Sequence, residues 1–153
     1  MIFGREPFHT IKIIEDKEKY PALFLFGAGS NDLLIREWEL RNAVSITENL
    51  RETWNIIGSG TAFETEDIFA IQPDIVTGES VDSITALYRS QGLPSRYWVI
   101  HRGMGGLTVF DSESRHVLQL SESSYEPSRS YADFDEWYCE CLRAEYAKRY
   151  SLK

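Results

Sequence analysis

Cysteine is scarce in this 153-residue chain: Cys139 and Cys141 are the two present. On a helix their spacing sets them about 200° apart, too divergent for a mutual bridge. A disulfide framework is excluded. Long apolar runs are lacking too. The longest near the start, Ala22-Leu23-Phe24-Leu25-Phe26, is too short for a signal or a membrane span, so a cytoplasmic protein without membrane insertion is expected. Histidine is limited to His9, His101 and His116, none within a helical turn of another, and HExxH, CxxC, GxSxG and P-loop patterns do not occur. A metal shared by His101 and His116 across neighbouring strands is the bolder reading, but isolated strand histidines usually serve as hydrogen-bonded structural groups. Neither metal nor cofactor is expected. Lys and Arg, finally, are missing from the whole stretch 52–88.

What is present is ordinary globular material, 42% hydrophobic and 26% charged residues with a net charge of −8, enough for one domain with its own core. The negative sign opposes a phosphate backbone and favours a basic partner, so nucleic acid is not expected as a direct ligand. Aromatics reach 13%, more than a small core usually needs, which suggests that some belong to a contact surface.

Along the chain, Thr10-Ile11-Lys12-Ile13-Ile14 and Leu23-Phe24-Leu25-Phe26 read as strands separated by the polar run 15–19. Ser30-Asn31-Asp32 supplies capping oxygens for a helix carrying Leu34, Ile35 and Trp38 up to Asn42, expected as its left-handed end. Thr47 caps a second helix with Leu50, Trp54 and Ile57 on one face, which Gly58 should stop. Gly58-Ser59-Gly60 breaks the pattern, Asp67–Ile71 reads as a strand ended by Pro73, and Ser80 caps a third helix running to Gly92. Strands 97–101, 107–110 and 116–120 then form an antiparallel meander, with Gly103, Gly105 and Gly106 in a hairpin turn; a dinucleotide-binding loop would have to lead into a helix, not a strand. The Ser/Pro-rich 121–130 reads as a loop before a last helix started by Asp133 and Glu136.

This order of elements resembles the SUKH superfamily, which includes fungal cell-wall regulators, the bacterial Syd protein and many bacterial toxin-immunity proteins. The residues carrying the resemblance are Ser30–Glu39, Thr47–Glu52 and Gly58-Ser59-Gly60 for the opening helix pair, and Gly92–Ile100 for the entry to the central sheet. Val109-Phe110-Asp111 with His116-Val117-Leu118 resemble the paired strands, and Tyr131–Trp137 the start of the terminal helix. Ile46-Thr47 stands where the family commonly has Leu-Pro. The resemblance implies an α+β fold, a single domain over 30–153 with a mixed or antiparallel central sheet packed by about four helices, no cofactor, and a function exercised by binding another protein. Residues 1–29 are then an N-terminal extension supplying an edge strand or two.

Seven acids, Glu52, Glu64, Glu66, Asp67, Asp74, Glu79 and Asp82, lie in 52–88 without one base, while the rest of the chain is nearly balanced. Acidic loops are commonly just solvated surface. The sharper reading is a docking surface that steers a basic partner. Glu64, Glu66 and Asp67 are expected in an exposed loop, with Asp74, Glu79 and Asp82 extending the surface and Phe63 as an aromatic anchor; Trp54, on an apolar helix face, reads as core. The function expected is a non-enzymatic immunity protein that covers the active site of a cognate basic toxin, such as a nuclease. An adaptor of the same fold with a non-toxin partner is the alternative. A small hydrolase using Asp111 or Glu113 with His101 or His116 is the third reading.

Overall fold

The computed structural model describes residues 11–103 and 106–153. Its spine is a seven-stranded sheet in the order β1-β2-β3-β4-β5-β6-β7, so every strand pairs with its neighbours in sequence. All six pairings are antiparallel. The strands are β1 (Phe24–Ala28), β2 (Ile57–Ala62), β3 (Glu66–Ile68), β4 (Tyr97–Gly103), β5 (Gly106–Asp111), β6 (Val117–Leu120) and β7 (Pro127–Tyr131). The fold is a single α+β domain, and the parallel component that a mixed sheet would have is not among these pairings.

Helices α1 (Lys12–Lys19), α2 (Asp32–Asn42), α3 (Glu48–Ile56) and α4 (Val81–Arg89) precede the meander. After it, α5 (Phe134–Trp137), a π-helical turn (Tyr138–Leu142) and α6 (Arg143–Tyr150) follow one another without a break. The expected caps form where the sequence places their oxygens. Asn31, Thr47, Ser80 and Asp133 accept from the N–H of Leu34, Leu50, Ser83 and Glu136, satisfying donors that a helix start leaves free.

Several expectations are corrected. Lys12–Lys19 is helical rather than part of a strand: Asp16, which is 1% exposed, accepts from Tyr138 Oη at 2.6 Å and Arg143 Nε at 2.7 Å. Partners far along the chain outweigh the β-branched pattern there. Thr10, the first residue of that expected strand, lies outside the described residues. The left-handed residue closing α2 is Ala43, not Asn42. Gly58 does not stop α3; the chain passes directly into β2, which includes Gly58-Ser59-Gly60. A Cβ on Gly60 would lie 1.9 Å from the carbonyl oxygen of Leu25, so glycine is what lets β1 approach β2. The buried segment after β2 is strand only over Glu66–Ile68, and 127–130, read as loop, belongs to the edge strand β7.

Consecutive residues of a strand point to opposite faces. On β4, His101 packs its ring 4.7 Å from that of Trp137 in α5, whereas Arg102 turns the other way, to Phe69 and Glu79 beside α4. Helices therefore cover both faces of the central strands, which explains why the first five residues of β4 are all buried. Trp38 of α2 meets Trp54 of α3 and Trp98 of β4 edge-on, with centroids 5.2 and 5.0 Å away, and joins the two layers.

Candidate functional site

The acidic segment divides into inward and outward groups. Phe63 and Glu64 both adopt left-handed conformations (φ 52° and 69°) to turn β2 into β3. That turn drives Phe63 inward. It is 1% exposed, stacked on Tyr146 with ring centroids 4.6 Å apart, so it is a core residue and not a surface anchor. Trp54, 2% exposed, is core as expected.

Glu66 is likewise corrected. It lies in β3, 1% exposed. Its Oε2 accepts from the Tyr146 hydroxyl at 2.6 Å, and Oε1 lies 2.7 Å from His101 Nε2. A carboxylate only accepts, so Nε2 carries the proton, and in the neutral ring Nδ1 accepts from the Thr108 hydroxyl 2.8 Å away. Burial and the bond to Glu66 both raise the pKa of Tyr146, which keeps the phenol a donor. The trio ties β3, β4 and α6 together. Gly103 makes room for it, since a Cβ there would lie 1.7 Å from Glu66 Oε1. Beside the trio opens a cleft of about 270 Å³, with Gln119, Cys141 and Glu145 on its walls.

The outward acids are organised by one cation and one turn. Arg102 Nη2 reaches Asp67 at 2.9 Å and Glu79 at 3.3 Å. Asp74 and Glu79 then close a tight loop. Asp74 Oδ1 accepts from the N–H groups of Val76 and Thr77 at 2.7 and 3.1 Å, Asp74 N–H donates to the Glu79 carbonyl at 2.8 Å, and Gly78 at φ +76° completes the reversal. Asp67, Asp74 and Glu79 thus belong to one connected surface. Asp82 lies apart on the α2–α4 seam, accepting from Trp38 Nε1 at 2.7 Å with Arg41 3.7 Å away. Glu64 is exposed at the opposite end of β2 from the Gly27–Gly58 contact that supports this loop.

The residues raised for hydrolysis serve other contacts. Asp111 is 2% exposed and takes Arg96 in a two-pronged pair, Nε at 2.9 Å and Nη2 at 2.7 Å. It also accepts from Glu113 N–H and the Ser114 hydroxyl. Burial disfavours its charged form, but these donors outweigh burial and bring the carboxyl down to about 2. Such an acid is a poor base at neutral pH. The ring of His116, on the surface, lies 3.5 Å from Ser130 rather than on Asp111. His101 and His116 do not face each other, because β5 runs between the strands that each adjoins.

The structure adds residues that sequence reasoning passed over. Ile75 and Val76, at the tip of the 74–79 loop, are 75% and 76% exposed, the highest among the exposed large apolar side chains described. The available signal was a pair of β-branched residues with no periodic partner between Pro73 and Gly78. Among the described residues no group of three or more His, Cys, Asp or Glu is arranged to hold a metal ion, and no helix is long and apolar enough to cross a membrane. Comparison with protein-family models and with curated proteins finds no match for the chain.

Proposed function

We propose that this chain is a protein-binding domain of the SUKH type, an immunity protein that covers the active site of a basic toxin. The observation that carries this reading is the one-sided charge of 52–88. Of its seven acids only Glu66 is buried. Arg102 pairs with Asp67 and Glu79, and Arg41 with Asp82. A surface of this sign raises the local concentration of a basic protein and speeds its capture. A toxin that acts on nucleic acid must itself present cations to phosphate, and an acidic partner can occupy the same cations.

Support for a binding role also comes from rigidity. The outward acids sit on β3, on a hydrogen-bonded turn and on the capped start of α4, so few degrees of freedom are lost on association. The test is co-expression with a candidate basic toxin, such as one encoded beside this gene. Survival of the host and a complex that dissociates as salt is raised are expected. Continued killing, with no complex at low salt, overturns the immunity reading.

A further inference from the structure

The 74–79 loop is built as a rigid apolar knob. Five hydrogen bonds internal to it, including Glu79 N–H to Thr77 Oγ1 at 3.2 Å, hold its backbone. Ile75 and Val76, three-quarters exposed, are both β-branched and stiff at χ1. Nothing in the core is gained by holding two such side chains in water, and the fixed loop backbone with stiff χ1 leaves little entropy to lose when they are covered.

Behind the knob lies a bare floor. A Cβ placed on Gly27 would sit 3.8 Å from Ile75 Cγ2, and one on Gly29 would sit 2.7 Å from the carbonyl carbon of Ile56. The stretch Gly27-Ala28-Gly29 therefore runs between Ile75 on one side and the end of α3 on the other, carrying nothing larger than a methyl group. Ile56 is 46% exposed there. Asn55 Nδ2 bonds Asp32 Oδ1 at 3.1 Å, which brings the start of α2 and Leu33, 66% exposed, to the same end of the molecule. Ile75, Val76, Ile56 and Leu33 are thus exposed apolar side chains near the end of β1.

Its margin is acidic. Asp74 and Glu79 flank the knob, Glu52 lies one helical turn before Ile56, and Asp32 stands beside Leu33. Arg102, the nearest base in β4, is held by Asp67 and Glu79, and Arg36 lies one turn further along α2. Two copies of this chain meeting here would set acid against acid. A basic protein surface would not.

We infer that this exposed apolar patch, centred on Ile75 and Val76, is where the basic partner docks, through a segment of one or two aliphatic side chains flanked by Lys or Arg. This inference rests on the basic-partner reading above and replaces Phe63 by Ile75 and Val76 as the apolar anchor. Aliphatic burial supplies the hold and the acidic margin supplies orientation and speed, the division of labour usual in protein interfaces.

The test is a methyl-NMR titration of the full chain with a synthetic peptide of alternating lysine and leucine, and with its glutamate-leucine counterpart. Shifts from the lysine peptide should centre on Ile56, Ile75, Val76 and Leu33. Leu40 and Leu87, exposed on α2 and α4, should stay unmoved. The double substitution Ile75→Thr/Val76→Thr, which keeps the β-branched shape and the turn, should weaken binding at least tenfold with an unchanged thermal midpoint. Shifts centred on Leu40 or Leu87, or no loss in the double variant, overturn the docking site while leaving the basic-partner reading intact. Equal binding of the glutamate peptide at the patch overturns the partner chemistry, and with it that reading.

Discussion

Replacing Asp111 with Asn separates the charge of its pair from its shape. Asn keeps an oxygen for Glu113 N–H, and Arg96, 39% exposed, stays free to turn to water, so no charge is stranded. The magnitude follows from the carboxyl's position near 2, against the 3.8 of an unperturbed Asp. A difference of nearly two units corresponds to about 2 kcal/mol at neutral pH, and solvent around Arg96 reduces the expected loss to about 1–2 kcal/mol. On a domain of this size that is a fall in Tm of about 3–7 °C. The sign is set by a depressed acid: its contribution is full above the unfolded-state value and lost as pH falls through the folded one. About half should remain at pH 3 and little at pH 2. Urea unfolding of wild type and Asp111→Asn, from pH 7 downward, gives the curve directly. If the two proteins differ by the same amount at pH 7 and pH 2.5, the pair's contribution is not electrostatic and the reasoning fails.

Other expectations follow from single contacts. Gly60→Ala sets a methyl against the Leu25 carbonyl oxygen, 1.9 Å away, and should release β1 from β2 at a cost above about 3 kcal/mol; hydrogen exchange of Phe24–Phe26 would show it, and unchanged protection would refute the close approach. Phe63→Ala empties a fully buried ring site and should cost about 3–5 kcal/mol in denaturant unfolding, whereas a surface anchor would cost almost nothing. Cys139 is exposed, yet burial of its sulfur and the nearby Asp135 carboxylate push the thiol up to about 11, so iodoacetamide should label it slowly at pH 8 and rapidly near pH 11. Fast labelling at pH 7 would contradict that environment.

Much of the fold was legible because its signals are local. The caps at Asn31, Thr47, Ser80 and Asp133 depend on one side chain and the N–H three residues on, and all four form. The meander of β4, β5 and β6 followed from alternating apolar runs around Gly103 and Gly106, which pair directly. What was misread depends on distant partners. Ile11 and Ile13 belong to a helix start because Asp16 is claimed by Tyr138 and Arg143, more than 120 residues away. The strand β7 has four exposed residues and no alternation; its evidence is backbone pairing with β6, which a single chain segment does not encode.

The candidate site divides along the same line. Acidity of 52–88 is a property of composition and was visible at once, but the direction of each acid was not. Glu66 and Asp67 are adjacent, and strand alternation sends the first to His101 and Tyr146 and the second to Arg102. Ile75 and Val76 were passed over because two apolar residues in a loop have no periodicity to place them, and a turn built on Asp74 holds both in solvent.

The central claim is capture of a basic protein by this acidic face. Its most direct measurement is the stopped-flow association rate constant with the proposed basic partner, from about 0.05 to about 0.5 M salt. The account predicts a fall of at least about tenfold over that range, and a distinctly shallower fall for Glu52→Gln/Asp74→Asn/Glu79→Gln, which preserves shape while removing three charges. A rate constant that is independent of salt, or a triple variant with the wild-type slope, would contradict it.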